Sequence, residues 1–220
     1  MHIIFDVEGG LAILVDAARI LVRVASPVKG GSPGYGVHHV IKALEILSQG
    51  PVGRVHLASR LGVGEASSRT LLERLEGEGL IRKGRWGAIV TERGLQVLRA
   101  VKDSVRVYRV NLEHIGWGEA LLITIKGLKP PRDVVEVYSI RDYIVAEGCR
   151  ETVIGGVEGG STTYPGMPPE LKEPLDRSIP REALEEGVLH LIVKPGNEDK
   201  AVNALIKLLA KPSIGKPEAW

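Results

Sequence analysis

The stretch from Val55 to Val90 constrains the fold more than any other part of the chain. Val55 to Leu61 (VHLASRL) carries apolar residues at helical spacing and stops at Gly62; Glu65 to Glu78 repeats the pattern and stops at Gly79. Two helices joined by a short glycine turn make a helix-turn-helix unit. Leu80 to Lys83 and Ala88 to Val90 are short strand-like runs flanking Gly84-Arg85-Trp86-Gly87, whose two glycines permit the positive φ angles of a hairpin turn. Upstream, Val37, Val40, Ile41, Leu44 and Leu47 line one face of a first helix, which Gln49-Gly50-Pro51 stops. Downstream, Thr91 caps a further helix with apolar positions at Leu95, Val97, Leu98 and Val101.

The order helix, helix, helix, strand, turn, strand, helix is that of a winged helix. Within it, Leu57-Ala58, Leu61-Gly62, Leu72 with Leu75-Glu76, and Gly79-Leu80-Ile81 resemble the recurring positions of winged-helix transcription regulators. The opening PVGRVHLA is similar to the DNA-binding part of bacterial sugar-responsive regulators of central glycolysis. The whole chain resembles an archaeal family that joins such a module to a C-terminal domain of unknown function. The match spans roughly Gly36 to Lys102, and it departs from the pattern at two places. Gly64 stands where relatives place a capping Ser or Thr, and Ser68 where an apolar residue is usual, which predicts a displaced start for the second helix of the unit.

In that architecture the helix at about 65–78 enters the major groove, where each base pair displays a distinct donor and acceptor pattern. With Leu71, Leu72 and Leu75 facing the core, Glu65, Ser67, Arg69 and Thr70 project outward as base readers. Arg74, further along the helix, is a DNA-contact candidate as well; Arg69 and Arg74 also stand four residues from Glu65 and Glu78, so intrahelical ion pairs are an alternative for both. The turn at 83–87 puts Lys83, Arg85 and Trp86 on the backbone or in the minor groove, although Trp86 could instead fold over the core. Arg54 and Arg60 bracket the preceding helix as phosphate clamps.

Charge distribution agrees with this placement. Pro51 to Arg109 holds twelve Lys/Arg against six Asp/Glu, whereas Val110 to Trp220 holds thirteen against seventeen. A phosphate backbone attracts the first region and repels the second. The lone Cys149 allows no internal disulfide and no thiol cluster, and the six histidines show no metal-ligand spacing, so a reducing cytoplasm and neither metal nor cofactor are expected. Five amide residues in 220, beside abundant Glu, Arg and Lys, are a composition that hot-growing organisms favour.

The remaining chain divides into an N-terminal arm and a C-terminal domain. Leu11 to Ala25 is apolar except for Asp16, Arg19 and Arg23, which form one polar stripe. It is too short and too charged to span a bilayer, and reads as a helix packing on the body or on a second subunit, with membrane association as the alternative. Val28 to Gly36 reads as a linker. Strands are predicted at Val105 to Leu112, Ala120 to Ile125, Thr152 to Ile154 and Val188 to Val193, helices at Asp133 to Ala146 and Asp199 to Leu209, and a loose Gly/Pro-rich loop up to Pro180. The expected organisation is an α+β chain: arm and linker at 1–34, winged helix at 35–104, and at 105–220 a small α/β sandwich with a mixed sheet.

One segment of that last domain invites chemistry. The glycines of Gly155-Gly156-Val157-Glu158-Gly159-Gly160-Ser161 could cradle an anionic ligand with backbone amides, so Gly155, Gly156, Gly159, Gly160 and Ser161 are candidate ligand contacts; a plain hairpin turn is the alternative. No P-loop or nucleophile motif accompanies them. The function expected from sequence is therefore a DNA-binding transcription regulator and not an enzyme, acting on double-stranded DNA as a homodimer, with a C-terminal domain that senses a small molecule or dimerises. A protein-docking role for the winged helix, and an unidentified enzymatic activity in the C-terminal half, are the competing expectations.

Overall fold

A computed structural model of the protein describes residues 7–27 and 33–211, with side chains from residue 10 onward. Residues 28–32 of the expected linker, and the first six residues of the expected arm, lie outside the described residues. The chain divides into two compact units, Met1–Lys102 and Asp103–Trp220, and the fold is α+β.

In the first unit, helix α1 (Val7–Ala25) buries Leu14, Ala17, Ala18, Leu21 and Val24, a 3-4 spacing that forms one apolar stripe against the following helices. It is an integral part of this unit, packed on α2 (Val37–Ser48) and α4 (Glu65–Gly77). No helix among the described residues is long and apolar enough to cross a membrane. Helix α3 (Arg54–Leu61) ends at Gly62, whose φ of 71° turns the chain into α4. The helix begins at Glu65, with Gly64 as an extended N-cap, so the missing capping side chain does not displace its start. Ser68 is fully buried because its hydroxyl has a partner, donating to the Arg54 carbonyl at 3.2 Å.

Strands β1 (Ile81–Gly84) and β2 (Gly87–Val90) pair antiparallel, and α5 (Glu92–Ser104) follows. The Thr91 hydroxyl accepts from the Gly94 amide and donates to the Gly79 carbonyl, which ties the α5 N-terminus to the end of α4.

The second unit is built on a five-stranded sheet in the order β3 (Val105–Asn111), β4 (Glu119–Ile125), β7 (Leu189–Val193), β5 (Thr152–Glu158), β6 (Ser161–Thr163). Every neighbouring pair is antiparallel, which corrects the expectation of a mixed sheet. The helix α6 (Val134–Ala146) does connect two mutually parallel strands, β4 and β5, but β7 inserts between them and runs against both. Helix α8 (Glu198–Leu209) packs beside α6 over one face of the sheet. The other face buries Leu112, Leu122, Ile192 and Tyr164 together with Leu175 of α7 (Pro169–Ser178). The expected loop before Pro180 thus contains a strand and a helix. Pro169 starts α7, where a missing amide donor costs nothing.

The glycine-rich segment is corrected as well. Gly155 and Gly156 lie inside β5, where added Cβ atoms would stand 2.2 Å from the Tyr164 ring and 2.3 Å from the Val188 carbonyl oxygen. They are cut-outs for core packing, with no room for a ligand. Gly159 and Gly160 form the two-residue β5–β6 turn at φ of 61° and 76°. Their amides do cradle an anion, but it is internal: each donates to the Glu186 carboxylate at 2.9 Å. Ser161 is an exposed strand residue beside them.

Beside Gly155, Tyr164 and His190 form a buried polar pair. The His190 Nε2 donates to the Ala183 carbonyl at 2.9 Å, which leaves Nδ1 to accept from the Tyr164 hydroxyl at 3.0 Å. Burial holds the His190 pKa below, and the Tyr164 pKa above, their ordinary values.

Candidate nucleic-acid interface

The surface formed by α3, α4 and the β1–β2 hairpin is an open groove of about 780 Å³. Its floor is apolar, with Val52, Leu72 and Ala88, and its rim carries Arg54, His56, Arg69, Glu73 and Lys83. The hairpin is held against the body by a short third strand segment that sequence patterning missed: Val52 exchanges both backbone hydrogen bonds with Ala88, at 2.9 and 3.0 Å. That contact explains Gly87. Its φ is 121°, and a Cβ there would lie 2.5 Å from the Val52 carbonyl carbon. A single bridged residue between Pro51 and Gly53 is too short to show a strand pattern; the glycine opposite is its only trace in the sequence.

The expected contact residues fall into three groups. The first is free to meet a ligand. Arg69 projects from α4 at the groove and, among the described residues, makes no hydrogen bond or ion pair. At the hairpin tip, Trp86 is 77% exposed, with the Arg85 guanidinium 5.2 Å from its ring centroid. Trp86 therefore does not fold back over the core. Arg82, exposed on β1 and also without an ion pair among the described residues, joins this group although its strand position gave no signal.

The second group is exposed but engaged. Arg54 pairs with Glu65 across the helix turn at 3.7 Å, Lys83 with Glu76 at 2.6 Å, and Arg60 donates to the Gln49 side chain at 3.3 Å. Exposed pairs of this kind are worth little and exchange readily for a phosphate partner. Thr70 donates back to the Ala66 carbonyl at 3.1 Å and is half-buried.

The third group is turned inward and corrects two of the expectations. Arg74 donates to the carbonyls of Val24 and Ser26, at 3.0 and 2.5 Å, and so closes the C-terminal end of α1. The unsatisfied carbonyls at a helix C-terminus make a favourable seat for a cation. The Tyr35 hydroxyl donates to the same Val24 carbonyl at 3.3 Å, and burial pushes its pKa up. Ser67 faces Gly34, where an added Cβ would meet its hydroxyl at 2.8 Å. Both were assigned outward because the α4 face opposite the core looked free, whereas the end of α1 meets Arg74 and Gly34 meets Ser67. The pair Arg23–Glu78, at 2.7 Å, completes that contact and replaces the intrahelical pairing of Glu78 with Arg74.

Glu73 is the residue that sequence reasoning passed over. It is exposed, lies one turn after Arg69 on the groove side, and has no partner among the described residues. A carboxylate there opposes the field of the surrounding cations.

No family model matches the chain, and no curated protein matches it. Among solved structures, a hypothetical protein from Pyrococcus horikoshii OT3 is 23% identical, with a TM-score of 0.51 over 82% of this chain and 97% of its own. The chain thus shares with that archaeal protein an α+β fold.

Proposed function

We propose that the first unit is a winged-helix DNA-binding module and that the chain is a sequence-specific transcription regulator. Helix α4 lies in the major groove, and the β1–β2 turn rests on the sugar-phosphate backbone or reaches into the minor groove. The observation that carries this reading is one open groove lined by Arg54, Arg69 and Lys83, beside a hairpin whose exposed turn carries Arg85 and Trp86; among the described residues Arg69 and Arg85 make no ion pair. Arg69 is the base reader, able to bond a guanine edge in two places, and Arg85 and Lys83 serve the backbone. The second unit, less basic in sequence, dimerises the chain or receives a small-molecule effector, and a dimer presents two α4 helices roughly 34 Å apart to a palindrome.

A protein-docking reading draws support from one feature, the apolar groove floor with Glu73 on its rim. The two readings separate on the double variant Arg69→Ala with Arg85→Ala, assayed by fluorescence anisotropy against labelled duplexes. The regulator reading expects affinity to fall by roughly a hundredfold, at about tenfold for each lost charge-assisted contact. Unchanged affinity excludes it and favours docking.

A further inference from the structure

Helix α6 carries its apolar residues on the wrong side for a monomer. Only Ile144 is fully buried, whereas Val135 is 71%, Tyr138 56%, Val134 39% and Val145 38% exposed. These residues share one face. Val135, Tyr138, Asp142 and Val145 follow one another at steps of three, four and three, the seam spacing of two helices packed side by side. Scattered exposed apolar residues need no explanation, but a continuous helical stripe does.

We infer that this face binds the same face of a second copy of the chain, with the two α6 helices antiparallel about a two-fold axis at the level of Ile140. The stripe is self-complementary in that arrangement. Val135 of each copy meets Val145 of the other, Val134 meets Ala146, and Tyr138 meets Asp142, so the one hydroxyl of the seam donates to its one carboxylate. Arg141 lies within a turn of Asp142 across the axis. Tyr138, Arg141 and Asp142 make no hydrogen bond or ion pair among the described residues, which leaves all three available. A parallel pairing would set Asp142 against Asp142, and a lipid surface would have to desolvate Arg141 and Asp142 together. A single helix pair covers less than the roughly 800 Å² per partner of a standard interface, so the affinity is of order micromolar. This inference does not rest on DNA binding by the first unit.

Sedimentation velocity of the full chain tests it, at about fifty times a micromolar dissociation constant. The expected result is a dimer whose dissociation constant rises at least tenfold with Val135→Glu or Tyr138→Glu. Both positions are exposed, so the thermal midpoint measured on dilute, dissociated chains stays where it was. Register is tested by mixing Val135→Cys chains with Val145→Cys chains under oxidant. The mixture forms an intermolecular disulfide, whereas Val135→Cys alone does not, because ten residues separate the two thiols by about 15 Å along the helices. A monomeric wild type, a dimer indifferent to both glutamates, or self-crosslinking of Val135→Cys overturns the inference.

Discussion

Helices α4 and α6 have the same length, thirteen residues each, and opposite designs. Helix α4 buries Ser68, Leu71, Leu72 and Leu75 inward and shows charge outward; one flank is taken by α1 and the other opens on the groove. Helix α6 buries one residue fully and presents valines and a tyrosine outward. Buried apolar area stabilises a helix in its own unit, and exposed apolar area stabilises it only when something else covers it. The comparison teaches that α4 is a core element with a polar working face, while α6 keeps its apolar surface for association. The first face suits a polyanion, and the second suits another helix.

The largest effect that could break this comparison is on stability. Leu75→Ala in α4 empties a fully buried site and costs about 2–5 kcal/mol, whereas Val135→Ala in α6 changes the stability of the monomer by less than about 0.5 kcal/mol. Denaturant unfolding of both variants checks the pair, and equal losses would erase the distinction. Next in size is Arg74→Ala. It removes the donor to the Ser26 carbonyl, leaves the Val24 carbonyl to the Tyr35 hydroxyl alone, and costs about 1–3 kcal/mol, while DNA affinity per folded molecule stays unchanged. A selective loss of DNA binding with normal stability would return Arg74 to the interface.

A smaller effect is expected at Glu73. Glu73→Gln removes a negative charge from the groove and strengthens DNA binding about two- to fivefold at low salt, with the gain shrinking as salt rises. Weaker binding would make Glu73 a base reader or a docking contact. The smallest effect is a pH dependence in the second unit. Burial lowers the His190 pKa in the folded state, so the unfolded chain binds the proton more readily, and stability declines as pH falls below about 6.5, the ordinary histidine value. His190→Gln flattens that decline between about pH 6.5 and 5, which thermal melts across the range would detect.

Most elements of both units were legible in the sequence because their signals are local. The helix start at Val37 and the αL stop at Gly62 follow from steric rules that hold whatever the rest of the chain does, whereas the expected displacement of the α4 start is absent, and of the two hairpin glycines only Gly87 takes a positive φ, inside β2, with Arg85 and Trp86 making the turn. The antiparallel order of the sheet was not legible, since which strand inserts between β4 and β5 depends on long-range packing. Helix α7 was hidden by its prolines: Pro169 stands in the first turn, where a helix tolerates it, but Pro174 lies inside the helix, where sequence rules predict a break. At the candidate site, Arg69 and Arg85 could be named from composition and spacing, but the fates of Arg74 and Ser67 could not. Arg74 meets the end of α1 and Ser67 meets Gly34, and no periodicity within α4 distinguishes a solvent face from one covered by a distant part of the chain. Gly155 and Gly156 misled for the same reason: a glycine that makes room for Tyr164 looks, in sequence, like one that makes room for a phosphate.

The most direct test of the central claim is binding of the full chain to a labelled duplex from upstream of its own gene and to a scrambled duplex, across a salt series. The DNA-regulator account expects affinity to fall linearly with salt on logarithmic axes, with a slope of about −0.9 per phosphate neutralised, and the upstream duplex to bind roughly a thousandfold tighter. Absence of binding to either duplex at low salt would contradict it and leave the groove to a protein partner.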